Sequence, residues 1–546
     1  MNPHAPSDRW WHDAIGYSLY LRSFADGDGD GVGDLPGLCG RLEHLVALGI
    51  DLLWVTPFHP SPMVDFGYDV TDHLAVDPRY GTLGDVATLL ERAHALGLRV
   101  VIDLVANHTS VQHPWFLAAA AEPSGPYRPY YLWGDADSDG AAPNNWVSYF
   151  GGPAWTAHPE RGDHHLHLFL SEQADLNWRH PAVIDEFDRI VAHWLDLGVD
   201  GFRIDAAQTF VKDAALRPNP QRAPFDPAAD RRTQWDAFEH RHDISQPETA
   251  AIFRRWQRAC RRRGAVLLGE THIEEVDGWA SLVRRGGLDV AFWFGLIDLP
   301  WRADAVQAAL RAPLDALADT DTAIGWVTST LDDVRAPTRL GGGDTGRRRA
   351  LALLTLVCAL PGVPVLYQGE ELGLTQGVLG DTAPADRIGA RGEDSRDGCR
   401  TPMPWEPGPS FGFSPSGRSW LPDGGRTDAD TAAAQVGVPG SWFERHRALL
   451  ALRRTEPPLR ERRPPVWFDR TGEGVVALRR GPLLVVANLG PEPVPVGMAG
   501  VACFDSDSDS DNDGDGRGRR VAADEPLAPD RALIVRLDDP PAAEAP

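Results

Sequence analysis

One pattern repeated along the chain restricts the fold more than any other feature. A stretch with helical periodicity ends at a glycine, and a short β-type apolar run follows and stops at polar residues. Leu38, Leu42, Leu45 and Leu48 share a helical face before Gly49 and the run Ile50–Val55. Val86, Leu89, Leu90 and Ala93 precede Gly97 and Leu98–Ile102. Val183, Phe187, Ile190, Val191 and Trp194 precede Gly198 and the run to Ile204, and Ile252, Phe253, Trp256 and Cys260 precede Gly264 and Ala265–Leu268. Helix, glycine stop and buried strand in alternation predict a parallel α/β architecture. The runs lead into Asp103, Asp205 and Glu270, so acids stand where a barrel presents its reactive face. One such acid serves as a helix N-cap as readily as a site, but three in succession favour a site.

The predicted fold is therefore a (β/α)8 TIM barrel over residues 1–104 and 181–454. Residues 105–180, rich in Pro, Gly, Trp and Tyr, are too many for a loop and are expected to form a small subdomain inserted after strand 3. After about residue 455 the helical pattern fades. Gly474–Leu478, Leu483–Ala487 and Ala532–Arg536 predict a C-terminal antiparallel β-domain over 455–546. Within it, the self-repelling Asp-rich run makes a disordered loop expected at about 504–520. Ala350–Leu366, the most apolar stretch, is broken by Pro361 and Gly362 and reads as a buried helix followed by a strand, not a membrane span.

The formal net charge of −25 argues against nucleic acid and anionic membranes as partners, since phosphate-rich surfaces need clustered cations. Nineteen Trp and 19 Phe supply a large core. Lys212 is the one lysine among 53 basic residues, a bias expected of genome composition. The five cysteines form no CxxC pair, and Met1–Asp13 holds no signal-type apolar segment. A reducing, cytoplasmic setting is the expectation.

Four segments carry the chemistry: Asp103-Leu-Val-Ala-Asn-His108, Gly201-Phe-Arg-Ile-Asp205, Gly269-Glu-Thr-His272 and Trp326-Val-Thr-Ser-Thr-Leu-Asp-Asp333. They resemble, in order, the core regions of glycoside hydrolase family 13, the α-amylase family. Gln173-Ala-Asp-Leu-Asn177, Gly33-Asp-Leu-Pro-Gly37 and Gly362-Val-Pro-Val-Leu-Tyr-Gln-Gly-Glu370 resemble three more. The details look most like the oligo-1,6-glucosidase and α-glucosidase branch, particularly its actinobacterial α-glucosidases. The resemblance implies a retaining, exo-acting α-glucosidase that needs no cofactor for catalysis and acts on short α-glucosides. A transglucosidase or sugar isomerase using the same intermediate, and a silent sugar-binding relative, are the alternatives.

Glycoside cleavage needs a proton for the leaving oxygen and a negative group facing the oxocarbenium-like centre. Asp205 is the implied nucleophile, kept ionised by Arg203 two residues earlier. Glu270 is the implied general acid and base, with a raised pKa, and Asp332 the third carboxylate that holds sugar hydroxyls. Retention predicts an Asp205–Glu270 carboxyl separation of about 5–5.5 Å. By the same resemblance Asp103, His108 and Tyr68 line the glucose pocket, Phe150 and Phe169 shape its wall, and Asp65 pairs with Arg400 to close it. Ala206, small and next to the nucleophile, implies a lean towards α-1,4 bonds.

Two local features carry further expectations. Family members have Asn-His before the third carboxylate, whereas this chain has Thr330-Leu331. Leucine donates no hydrogen bond, so a substrate hydroxyl loses a partner at a cost of about 1–3 kcal/mol and a weakened or retuned enzyme follows. Asp26-Gly-Asp-Gly-Asp-Gly-Val-Gly-Asp34 alternates oxygen donors with glycine, as Ca²⁺ requires. It resembles the branch's first-loop calcium site, with Asp26, Asp28, Asp30 and Asp34 as ligands and Val32 through its carbonyl. His164-His-Leu-His167 has no further ligand at a spacing that suggests zinc.

Overall fold

The computed structural model describes residues 9–136, 139–273, 275–382, 384–388, 395–507 and 518–538. Eight parallel strands close into a barrel: β1 Gly16–Leu19, β2 Leu52–Val55, β3 Arg99–Leu104, β4 Gly201–Ile204, β5 Val266–Gly269, β6 Val290–Trp293, β7 Ala323–Val327 and β8 Val363–Tyr367. Chain neighbours are barrel neighbours, and β8 closes against β1. Residues of period two divide between two apolar clusters. Leu52, Val101, Val266, Leu268, Val290, Phe292, Val363 and Val365 fill the barrel. Leu53, Val55, Val100, Ile102, Phe202, Leu267, Ala291 and Trp326 face the surrounding helices.

The glycine stops work as the pattern implies. Gly49 and Gly198 cap helices Leu42–Leu48 and Pro181–Leu197 at φ 100° and 109°. Only glycine takes this left-handed turn without strain, and each turn feeds its chain directly towards the next strand.

Between β3 and helix Pro181–Leu197 the chain leaves the barrel. Strand His108–Ser110 pairs antiparallel with Gln173–Asp175. A three-stranded sheet of Trp133–Asp135, Asp163–Leu166 and Trp155–His158 stands beside it. Trp146, Trp155, Leu166 and Leu168 give this region its own core. At the other end, Val466–Phe468, Val475–Arg480, Leu483–Asn488, Arg531–Leu537, Gly500–Asp505 and Arg520–Val521 form an antiparallel sheet in that order. Most of the expected Asp-rich loop, residues 508–517, lies outside the described residues. No helix among the described residues is long and apolar enough to cross a membrane.

Candidate active site

Register builds the centre of the site. Arg203 on β4 stands level with Asp103 on β3 and with Leu268 on β5, so all three point into the barrel. Gly201 permits this close approach, because a Cβ there would lie 2.0 Å from the Val266 carbonyl oxygen. Asp205 and Glu270 follow immediately after β4 and β5. The buried Arg203 guanidinium therefore meets three carboxylates. Its Nη1 donates to Asp103 Oδ1 at 2.7 Å and to Asp205 Oδ1 at 2.8 Å, and its Nη2 pairs with Glu270 Oε1. Trp54 spreads its ring 4.4 Å from the guanidinium carbon, which holds the cation where the strands place it.

Ala206 takes φ 45°, a left-handed turn at a non-glycine residue. That turn aims its N–H at Glu270 Oε2, 2.9 Å away, and so ties the residue after Asp205 to Glu270. Asp332 comes from the segment after β7, pinned by Thr330 Oγ1, which accepts from Asp332 N–H and donates to Asp333. Side-chain exposure separates the acids by role: 11% for Asp205, 15% for Glu270 and 41% for Asp332, against 0% for Asp103. The first three are open to a ligand.

Asp103 and His108, expected to line the pocket, are instead buried and reach it through Tyr68. Tyr68 Oη and Trp54 Nε1 both donate to Asp103 Oδ2 at 3.1 Å. His108 Nε2 lies 2.8 Å from the Tyr68 carbonyl oxygen. Phe169 packs tilted against the His108 ring at 5.2 Å and edge-on against Phe150 at 5.7 Å, so these aromatic side chains make one continuous wall.

The closing ion pair also differs from expectation. Asp65 pairs with Arg396 Nη2 at 2.8 Å, while Arg400 pairs with Asp332 at 2.8 Å and donates from Nε to the Leu331 carbonyl. Arg396 bridges Asp65, Asp332 and Asp386 and lies over Phe150. Arg400 is held too deep, with its guanidinium over Tyr20, to make the Asp65 contact. Arg396 lies only four residues before Arg400, and that nearness was its available signal. Leu331 is buried in the apolar cluster that fills the barrel.

Charge follows from these contacts. Burial pushes Asp205 well above the ordinary carboxylate range, and Arg203 opposes this without cancelling it. One cation is shared here among three acids, so its pull on each is divided. Asp103 is pushed up to about 6 by burial, against the pull of Arg203. Asp332 goes the other way. Burial raises it, but Arg396 and Arg400 together hold it below the usual range. Asp103 and Asp205 around Arg203 are thus shifted upward, while Asp332 beside them is shifted downward.

In the first loop, Asp26, Asp28 and Asp34 bring carboxylate oxygens within 4.8 Å of one another. Asp30 stays outside that group, with its Oδ1 taken by the Val32 N–H. Three convergent hard oxygens fit a divalent cation such as Ca²⁺.

Residues 18–462 match the family described as "Alpha amylase, catalytic domain". The chain belongs to the α-amylase family. Within glycoside hydrolase family 13 it falls in the α-glucosidase and oligo-1,6-glucosidase branch. It is 38% identical over 470 residues to the "Probable alpha-glucosidase" of Rhizobium meliloti (strain 1021), covering 83% of this chain and 84% of that protein. Among solved structures, the α-glucosyl transfer enzyme XgtA superposes with a TM-score of 0.85 at 37% identity, covering 97% of this chain and 100% of that one. The isomaltulose synthase SmuA from Protaminobacter rubrum superposes at 0.84 with 27% identity, covering 98% and 100%. This α-amylase-family enzyme is a glycoside hydrolase, and the Arg203-centred acids stand at the C-terminal ends of its barrel strands.

Proposed function

We propose that this glycoside hydrolase is a retaining, exo-acting α-glucosidase that removes terminal α-1,4-linked glucose from short oligosaccharides. The observation that carries this reading is the joint grip of Arg203 on Asp205 and Glu270. It holds nucleophile and acid on adjacent strands against the same cation, which supports the short carboxyl separation that retention requires. In the first step an Asp205 carboxylate oxygen bonds to the anomeric carbon as the Glu270 proton passes to the departing glycosidic oxygen. In the second, Glu270 takes a proton from water, whose oxygen displaces Asp205. The first step requires the proton on Glu270 and the charge on Asp205. Positive charge growing at the sugar favours that distribution. Asp332, its pKa held down by Arg396 and Arg400, binds sugar hydroxyls, and the bridge of Arg396 from Asp65 to Asp332 bounds the pocket at the non-reducing end.

The Asp26, Asp28 and Asp34 cluster would hold a structural Ca²⁺, remote in sequence and role from the acids. The five free thiols support a reducing, cytoplasmic setting.

A transglucosidase or isomerase is the second reading. It is favoured by the overlay on an α-glucosyl transfer enzyme and an isomaltulose synthase. Incubation with maltose, isomaltose, sucrose and p-nitrophenyl α-glucoside, with an Asp205→Asn control, tests both. Free α-glucose from maltose, lost in the control, is expected. Transfer products exceeding free glucose would establish the second reading, and activity surviving in Asp205→Asn would overturn both.

A further inference from the structure

Lysine occurs once among the 53 lysine and arginine residues of the chain, and that lysine is completely buried. Lys212 Nζ lies 2.6 Å from Asp175 Oδ2 and 2.6 Å from Asn107 Oδ1. Asp175 and Asn107 are themselves buried, at the paired strands where the chain leaves β3. None of the three touches Asp205, Glu270 or Asp332 in any contact described above.

We infer that Lys212 is a positioning residue for the sugar pocket, whose ammonium fixes the Asn107 amide and, through it, the tautomer of His108. An ammonium carries donors only, so the Asn107 atom facing it must be the carbonyl oxygen. The Asn107 NH₂ then turns the other way, to Asp175 Oδ1 at 3.0 Å and His108 Nδ1 at 3.2 Å. His108 Nδ1 must accept, which leaves the ring hydrogen on Nε2, directed at the Tyr68 carbonyl 2.8 Å away. Burial lowers the His108 pKa and keeps the ring neutral, as a single ring hydrogen requires.

From there the order set by Lys212 passes to the ligand side. Gln173 Nε2 donates to the same Tyr68 carbonyl at 3.2 Å and to Asp65 Oδ2 at 3.1 Å. Asp65 holds Arg396, which holds Asp332. One polarity therefore runs from the lysine to the third carboxylate. With neutral residues at both 212 and 175 the amide is free to reverse. His108 would then carry its hydrogen on Nδ1 and set a bare nitrogen against the Tyr68 carbonyl. The site explains why arginine did not replace this lysine. A compact point charge fits between Asp175 and Asn107, where a planar fork with five donors would need more acceptors than these two residues supply.

The inference rests on the pocket reading given above, and the test separates the two. Lys212→Met alone leaves Asp175 buried and unpaired, so the informative protein is Lys212→Met combined with Asp175→Asn, which removes both charges. If the lysine orients the pocket, the folded double variant has a KM for p-nitrophenyl α-glucoside raised about tenfold, with kcat changed much less. A double variant matching the unaltered enzyme in KM overturns the inference, since the lysine would then only neutralise Asp175. The unaltered protein gives an independent reading if the double variant does not fold. Labelled with [15Nζ]lysine, it shows one lysine ammonium resonance, expected to shift when glucose saturates the pocket. No shift overturns the inference. Activity retained by Asp205→Asn would instead sink the pocket reading.

Discussion

Tyr68 makes the protonation of the site accessible to experiment. Its hydroxyl donates to Asp103, a carboxyl already pushed up to about 6 by burial and restrained by Arg203. A hydrogen bond to the charged form favours that form, so removing the donor makes Asp103 easier to protonate. Tyr68→Phe is therefore expected to move the acid limb of kcat/KM upward by up to about one pH unit, with the alkaline limb unmoved. An acid limb in the same place would mean that Asp103 is not among the groups controlling that limb. Leu331 offers a second test at this scale. Its carbonyl is held by Arg400 and Cys399, so substitution should leave the backbone in place. Leu331→His returns a donor and is expected to raise kcat/KM about tenfold, the value of one modest hydrogen bond. The same change should lower the melting temperature, because an imidazole replaces a buried apolar side chain. Unchanged kinetics would show a pocket organised around the leucine.

At the scale of elements, the first loop can be tested by removing its cation. Asp26 and Asp34 already accept several backbone N–H groups, Gly29 and Gly31 for the one, Gly27, Asp28 and Gly37 for the other. The loop thus has a scaffold of its own, and Ca²⁺ would add to it by binding only the folded form. Chelation should lower the melting temperature by several degrees while leaving kcat at 25 °C unchanged. Asp28→Ala should abolish that response. A melting temperature indifferent to both chelator and added Ca²⁺ would discard the calcium reading. The barrel elements were legible because each repeats one signal: a 3.6-residue face, a left-handed glycine and a run of period two. Strands β1, β6 and β7 were not picked out. No helix and glycine stop lead into Gly16–Leu19 or Ala323–Val327, whereas Val290–Trp293 follows a marked helix, Val276–Arg284, and the left-handed Gly286 and Gly287, a signal that was there to be read. The acids after β4 and β5 were legible for the same reason as their strands. The Arg396 bridge was not. It joins residues 331 positions apart in sequence, and periodicity carries no information about which of two nearby arginines reaches across. The burial of Asp103 and His108 was equally hidden, because a pocket-lining motif does not reveal which members stand behind Tyr68.

For the whole molecule, the question is whether the C-terminal sheet is a separable attachment. The apolar cluster around the barrel argues that it is not. Leu351, Leu354 and Val357 of helix Gly343–Cys358 belong to the same buried cluster as Val476, Leu478, Val485 and Ile534 of the sheet. Polar contacts cross the same junction: Asp530 accepts from Arg349 Nε at 2.8 Å and from Trp301 Nε1 at 2.7 Å. A chain ended at Thr455 would bare one side of that helix to water. Each fully buried aliphatic side chain so exposed forfeits about 1.5–3 kcal/mol, and a few such losses match the whole stability of an ordinary domain. The truncated chain is accordingly expected to aggregate, although it retains every residue assigned to the pocket. Heating the intact protein should then give one calorimetric transition, not two, with activity lost in step with it. A separate early transition that leaves activity intact would show that the sheet melts independently. The shared cluster would then be a contact surface between two cores, not one core.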